Sequence, residues 1–259
     1  MSLNSGVIVH YHLFKNSGTS LDQLLKYNFG DKWIGYDKNT SGAMISTNEL
    51  ERIIVSNPGK QVFSSHQIVP PIPQLGMTIY PILFLRDPID RLKSAYLFEW
   101  KKQLGLDAPK GTLEEYIKDK FSKRRRNCIE EFQVIRLSNN CRDKIFNHEK
   151  MDDIELLDNA KTFIESLSFV GIVDQFDKSV SLLKEYLKPG FPDFKLYDVK
   201  SNVLQDISLT QENKRRKIEE ELSTEMFESI IERNYLDEAL YQFGCAHFKK
   251  LCTQFSVLD

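Results

Sequence analysis

The first thirty residues change from a strand-like pattern of apolar positions to a helical one. The β-branched run Gly6–His12 is typical of a strand, and Leu13–Gly18 is polar and turn-prone. From Thr19 onward, apolar residues recur at three- and four-residue steps, at Leu21, Leu24, Leu25 and Phe29. The pattern therefore predicts a strand, a short loop and a helix in immediate succession.

The same alternation continues along the rest of the chain. Strands are predicted at Gln61–Ser65, at Thr78–Leu85, which is apolar throughout as a buried parallel strand would be, and at Phe169–Val173. Helices are predicted at Thr47–Ser56 with Thr47 as N-cap, from Asp87-Pro88 onward, and at Leu113–Phe121, Ile129–Leu137, Leu156–Ser166, Phe176–Leu187 and Thr210–Phe243 with a break near Ser223. Strands that alternate with helices predict an α/β fold of three layers, with a central parallel sheet flanked by helices. We expect one domain over residues 1–259.

Composition narrows the class of protein. The chain has 35 Lys plus Arg and 37 Asp plus Glu, a net charge of −2, whereas dedicated nucleic-acid binders usually carry a basic excess. No apolar run approaches the roughly 18 residues of a membrane span. The N-terminal segment MSLNSGVIVHYH lacks the basic and long apolar regions of a signal peptide. We therefore expect a cytoplasmic protein, with the removal of an N-terminal anchor left open.

The cysteines give no sign of a metal site. Cys128, Cys141, Cys245 and Cys252 include no C-x-x-C pair, so zinc is unsupported and no metal is expected. Free thiols in a reducing compartment are the favoured interpretation. A bridge between Cys128 and Cys141 is left open, because spacing alone does not decide it.

The first segment whose residues could bind a ligand is the loop between the first predicted strand and the first predicted helix. A loop in this place directs backbone N–H groups and the helix dipole at an anion. Lys15 adds a positive charge, Gly18 permits close approach, and Thr19 and Ser20 add hydroxyl groups. The spacing differs from the loop of nucleotide triphosphatases, because the lysine precedes the glycine by three positions. The alternative is an ordinary capped turn with an exposed lysine.

The second segment begins at the end of the apolar strand Thr78–Leu85. Arg86 leaves the strand at its carboxyl end, where open α/β sheets bind ligands. Ser94 follows eight residues later, about two helical turns along. The arginine fork and the serine hydroxyl suit a single phosphate. The alternative is an exposed arginine beside a helix cap and a serine on a packing face.

Together the two segments resemble the nucleotide-binding signature of sulfotransferases that use 3′-phosphoadenosine 5′-phosphosulfate (PAPS), in particular the carbohydrate group that includes the heparan sulfate 2-O-sulfotransferase type. That family's first loop is similar to H-x-P-K-T-x-G-T-[ST], and this chain has His12, Lys15, Gly18, Thr19 and Ser20. Phe14 and Asn16 replace the family's proline and threonine. The second motif, R-D-P-x-x-R-x-x-S-x-Y, is matched by Arg86, Asp87, Pro88, Arg91, Ser94 and Tyr96.

The resemblance implies a P-loop-like fold and in-line transfer of a sulfuryl group from PAPS to an acceptor, which leaves adenosine 3′,5′-bisphosphate. By this resemblance the 5′-phosphosulfate is held by Lys15, Asn16, Ser17, Gly18, Thr19 and Ser20. The 3′-phosphate is held by Arg86 and Ser94, and Lys15 stabilises the leaving 5′-phosphate. Since the loop and the lysine supply the donors, no metal is required. The sequence does not identify the acceptor, and a glycan or another hydroxyl compound is the expected partner.

A general base is also needed, and His66 is the candidate. It ends the strand Gln61–Ser65 and enters a proline-rich loop, the place where the family typically carries a catalytic histidine or glutamate. Imidazole titrates near neutrality, which suits this role. The alternative is a histidine that only binds substrate. We call the segment His12–Ser20 the anion loop. His12 lies at its start and is interpreted as a structural residue or one on the cofactor side.

Other interpretations remain open at the level of sequence. A small-molecule kinase with a P-loop is disfavoured by the displaced lysine and by the lack of an evident magnesium carboxylate. A non-catalytic module that keeps the nucleotide pocket is disfavoured by the intact Lys15 and by His66. The basic run Lys118–Arg126 suits either an acidic acceptor or a solvated helix end.

Overall fold

The computed structural model describes residues 6–40, 42–123, 128–138, 152–196 and 209–257. Within them lies one five-stranded sheet, built from β1 (Val7–Tyr11), β2 (Trp33–Gly35), β3 (Val62–Ser65), β4 (Ile79–Leu85) and β5 (Gly171–Ile172). Every strand pair is parallel, and the order is β2-β3-β1-β4-β5. The predicted α/β fold with a central parallel sheet is thereby confirmed.

The register places the ends of three neighbouring strands side by side. Tyr11 of β1 lies opposite Ser65 of β3 and Leu83 of β4. The residues that follow these strands are the loop from His12, His66, and Arg86. Because parallel strands end at the same edge of a sheet, these three segments meet at its carboxyl edge, where α/β folds bind ligands.

The helices pack their apolar faces on this sheet and on one another. They are α1 (Gly18–Phe29), α2 (Thr47–Val55), α3 (Pro88–Leu97), α4 (Leu113–Ser122), α5 (Phe132–Leu137), α6 (Asp153–Glu165), α7 (Phe176–Leu187), α8 (Gln211–Glu220), α9 (Thr224–Glu232) and α10 (Tyr235–Gln254). The main core joins the strands to α1, α2, α5, α6, α7 and α10. A second apolar cluster joins α3, α4, α8 and α9 through residues such as Leu92, Ile117 and Ile230.

Local signals placed the start of α3 correctly. The carboxylate of Asp87 accepts hydrogen bonds from the backbone N–H groups of Ile89 and Asp90, and Pro88 occupies the first turn. These are the preferred residues for an N-cap and a first helical position. The predicted break near Ser223 is also confirmed, because Ser223 caps α9.

Several details differ from the predictions. The strand expected over Phe169–Val173 is limited to Gly171–Ile172, and the helix expected from Leu156 begins at Asp153. The three-residue edge strand β2 was not predicted, since three residues are too short to show periodicity. Ser46 rather than Thr47 caps α2 and accepts the N–H of Glu49. The helix expected over Ile129–Leu137 begins only at Phe132. The long helical segment is also broken at Asn234, and its last helix continues to Gln254.

Two further predictions concern cysteines and membranes. Among the described residues, no disulfide joins Cys128, Cys245 and Cys252 to one another. Cys141 lies outside the described residues, so the bridge from Cys128 to Cys141 is not tested. In the described ranges, each helix is too short or too polar to cross a bilayer.

Candidate functional site

The loop after β1 has a strained backbone that suits an anion. Lys15 and Ser17 have φ values of 65° and 59°, a left-handed conformation that is unfavourable for residues other than glycine. This path turns the chain into α1, whose first N–H groups have no intrahelical partner. Within the described part of the chain, no backbone or side-chain acceptor bonds the N–H groups of Ser17, Gly18 or Thr19. The loop therefore presents free donors at a helix N-terminus.

The Lys15 ammonium stands among aromatic rings and other cations. Its Nζ lies 4.4 Å from the centre of the Phe98 ring and 5.9 Å from that of Phe14. Burial, together with repulsion from Arg86 and Lys102, lowers the pKa of Lys15 to about 8. A bound anion would stabilise the charged form of Lys15, because the anion supplies the missing counter-charge.

Arg86 connects the two sequence motifs. Its Nη1 donates to the backbone oxygen of Lys15 at 2.9 Å, and its Nε donates to the fully buried carboxylate of Asp90 at 2.7 Å. Ser94 lies on α3 and is 7% exposed. The arginine therefore lies against the anion loop, with its guanidinium plane fixed by Asp90.

Asn16 has a different place from the one predicted. Its side-chain amide donates to the backbone oxygen of Phe84 and to Gln133, each at 2.8 Å, and its backbone N–H donates to Leu13. Its remaining polar atom is a buried acceptor oxygen, which does not suit an anion. The prediction that Asn16 contacts the cofactor does not fit this geometry, since its donors hold the loop onto the sheet.

Gln133 is a site residue that sequence reasoning missed. Its amide oxygen accepts from Asn16 and from the N–H of Arg86, and its Nε2 donates to the oxygen of Arg86 at 2.8 Å. Asp237 accepts the N–H groups of Gln133 and Val134 and so anchors the start of α5. No motif marks Gln133, because its partners are distant in sequence.

His66 lies beside the anion loop, as its position after β3 predicts. Its side chain is 44% exposed, and its ring packs against that of His12, tilted by 32° with 3.7 Å between ring centroids. Nδ1 lies 2.9 Å from Oδ2 of Asp37, and Arg136 donates to the backbone oxygen of His66. Burial and the neighbouring His12 lower the pKa of His66, and Asp37 opposes them. A neutral, accessible imidazole results, which is the form that accepts a proton.

His12 packs directly against the loop backbone. A Cβ atom added at Gly18 would lie 1.9 Å from Cδ2 of His12, so only glycine fits there. His12 and His10 stack, and their Nδ1 atoms lie 3.1 and 2.9 Å from the two carboxylate oxygens of Asp22. Burial opposes ionisation of Asp22, but the two histidines outweigh it and hold its pKa well below the usual range.

His10, His12 and Asp22 also bring three possible metal ligands together. Zinc accepts such donors. The observed separations are those of hydrogen bonds, and Ser64 adds another bond to Asp22. The network is satisfied without an ion, and the expectation of no metal stays a prediction.

The basic run is partly described. Lys118, Lys120 and Lys123 form ion pairs with Glu114, Glu99 and Asp119. Arg124, Arg125 and Arg126 lie outside the described residues. Lys118 and Lys123 are exposed and fit a solvated helix end, whereas Lys120 is mostly buried against Glu99 and Tyr116. Acceptor binding by the run stays a prediction.

Comparison with known proteins identifies a family that matches the chain. Residues 4–244 match the model of the sulfotransferase family. A protein of Archaeoglobus fulgidus is 27% identical over 255 residues, which cover 93% of this chain and 96% of that protein, and it is itself uncharacterised.

Proposed function

Because the chain belongs to the sulfotransferase family, we propose that it moves a sulfuryl group from PAPS to an acceptor hydroxyl, with carbohydrates among the candidate acceptors. The observation that carries this proposal is the contact between the two motifs. Arg86 bonds the backbone of Lys15 at 2.9 Å, and His66 lies at the same edge of the sheet. This shared edge supports a site in which Lys15 and Arg86 would bind anions and His66 would accept a proton.

The donor fits the groups at this edge. The free N–H groups of Ser17, Gly18 and Thr19, with the hydroxyls of Thr19 and Ser20, would hold the 5′-phosphosulfate. The guanidinium of Arg86 and the hydroxyl of Ser94 would hold the 3′-phosphate. Family members generally use PAPS, and the donors needed are present without Asn16.

Lys15 would stabilise the charge that develops during transfer. As the bond to the 5′-phosphate oxygen breaks, its electron pair stays on that oxygen, and a positioned ammonium lowers the energy of this charge. The aromatic rings of Phe14 and Phe98 limit water around Lys15, which strengthens the interaction.

His66 would accept the proton of the acceptor hydroxyl. The new sulfur–oxygen bond forms on the side opposite the leaving oxygen, as in-line transfer requires. The 44% exposure of the side chain gives an acceptor access to the ring. The imidazole is neutral at neutral pH because burial and His12 lower its pKa.

The test is transfer of labelled sulfate from PAPS to a panel of glycans, lipids and small alcohols. The wild-type protein should label at least one class without added metal. His66→Ala should lower turnover by roughly 10²–10⁴, the usual contribution of a positioned base, and leave affinity for adenosine 3′,5′-bisphosphate unchanged. His247→Ala is the matched control, since His247 bonds only a backbone oxygen at Leu167 among the described residues.

Two outcomes would contradict the proposal. If the protein transferred the γ-phosphate of ATP in the presence of Mg²⁺ and transferred no sulfate, it would be a small-molecule kinase with a P-loop. Binding of the bisphosphate with no transfer to any acceptor class would favour the non-catalytic module.

A further inference from the structure

We propose that Asp37 is a positioning residue for His66, which fixes the ring with its proton on Nδ1 and leaves Nε2 to accept the proton of the acceptor. This inference rests on the proposed role of His66 as base. Asp37 belongs to neither motif, and 29 positions separate it from His66.

The carboxylate is held in place independently of the ring. Asp37 follows the edge strand β2, at the same carboxyl edge as the site. Its Oδ1 accepts the hydroxyl of Ser65 at 2.5 Å and the backbone N–H of His66 at 3.0 Å. Its Oδ2 is thereby aimed at Nδ1 of the ring, 2.9 Å away.

The charge of Asp37 determines which nitrogen carries the proton. Burial opposes its ionisation, but the hydrogen bonds from Ser65 and His66 outweigh it and lower the pKa of Asp37. An ionised carboxylate only accepts hydrogen bonds, so Nδ1 must be the donor. The lone pair then lies on Nε2. When Nε2 takes the proton, the resulting imidazolium is stabilised by the adjacent carboxylate.

The other groups around His66 fix the expected direction of a pH effect. His12 packs against the ring and disfavours its protonation, whereas Asp37 and, from α1, Asp22 favour it. Arg136 of α5 donates to the backbone oxygen of His66 and adds a positive charge on this side. Removing the charge of Asp37 therefore lowers the pKa of His66 and moves the acidic limb of the rate profile to lower pH.

The test is Asp37→Asn in the full chain. The asparagine oxygen still accepts from Ser65 and His66, but its NH₂ group faces Nδ1 and favours the proton on Nε2. We expect nitrogen NMR of the histidine rings to show this exchange of tautomer. Turnover should fall by roughly 10²–10⁴ at unchanged bisphosphate affinity. Glu185→Gln is the control, because it removes a similarly exposed ion pair between Glu185 of α7 and Lys188, which follows that helix.

Asp37→Ala provides a second variant should the asparagine prevent folding. It removes the carboxylate without adding a donor, and we expect a mixture of tautomers and a similar loss of turnover. An unchanged tautomer, or turnover within about threefold of wild type in both variants, would overturn the positioning role.

Failure of the two proposals is distinguishable. If His66→Ala keeps its turnover, the base assignment fails while the NMR result on Asp37 still stands. If His66→Ala loses turnover and Asp37→Asn does not, only the role of Asp37 fails.

Discussion

At the scale of single residues, Lys15 shows how the structure changes the chemistry of a side chain. In the sequence it is one lysine among many. In the fold its pKa is lowered to about 8 by burial and by the cations Arg86 and Lys102. The group is therefore within reach of titration near physiological pH, and an anion bound beside it raises its pKa again.

This predicts a pH-dependent affinity for adenosine 3′,5′-bisphosphate. Below about pH 8, Lys15 is protonated in both free and bound protein, and its contribution to affinity is constant. Above that pH the free protein loses the proton, so affinity should fall by about tenfold per pH unit until the pKa of the complex is reached. The phosphates, with a second pKa of about 6, are already ionised. Titration calorimetry at several pH values measures this.

Lys15→Met is the control for this experiment. It should bind more weakly and show no such slope between about pH 7 and about pH 10. A wild-type affinity that stays flat over this range would show that Lys15 does not contact the anion.

At the scale of elements, Asp87 joins two helices. One carboxylate oxygen caps α3, and the other accepts from Gln211 and Arg215 of α8, both at 2.6 Å. Arg215 also pairs with Glu238 of α10. The second motif therefore holds the helical layer together, in addition to supplying Arg86.

Asp87→Asn should destabilise the protein by about 3 kcal/mol, because it leaves the charge of Arg215 without its buried partner. The Arg215 side chain is 28% exposed and also bonds Glu238. The loss in the free energy of unfolding is therefore at the lower end of the range for broken buried ion pairs. Urea unfolding measures the change. Against an Arg215→Met background the same substitution should cost about 1 kcal/mol. Equal costs in the two backgrounds would contradict the coupling.

At the scale of the whole molecule, the order β3-β1-β4 brings distant segments together. Lys15 and Arg86 are 71 positions apart and share a hydrogen bond. Gln133 of α5 adds a third segment, 47 positions beyond Arg86. A ligand that contacts both Lys15 and Arg86 would link the anion loop to the start of α3, while Gln133 supports both segments.

Such a ligand should stabilise the folded state. Adenosine 3′,5′-bisphosphate at about one hundred times its Kd should add about 2.7 kcal/mol to the free energy of unfolding, without added metal. Thermal unfolding measures this as a rise in Tm.

Ser94→Ala should weaken the binding of the bisphosphate by about 0.5–1.5 kcal/mol and leave the binding of adenosine 5′-phosphate unaffected, since only the bisphosphate has a 3′-phosphate. If Ser94→Ala weakened the binding of both ligands equally, the assignment of Ser94 to the 3′-phosphate would be wrong.

Much of the architecture was readable from local pattern. The apolar runs of β1 and β4 and the leucine spacing of α1 predicted their elements to within a residue or two at the boundaries given. The cap at Asp87 was readable because a cap depends on adjacent residues. The strand β2 was missed, and α5 was predicted but begins three residues later than expected, because such short elements carry too little periodicity and tertiary packing decides them.

The sequence by itself determined the α/β class and the two motifs, because strands, caps and anion loops depend on residues close together in the chain. Only the tertiary structure decided which side chains face the site. It placed the donors of Asn16 inward on Phe84 and Gln133, and it set Asp37 beside His66. These partners are 29 to 117 positions apart. A hydrogen bond between distant residues depends on strand order and register, and neither is written in any short stretch of sequence.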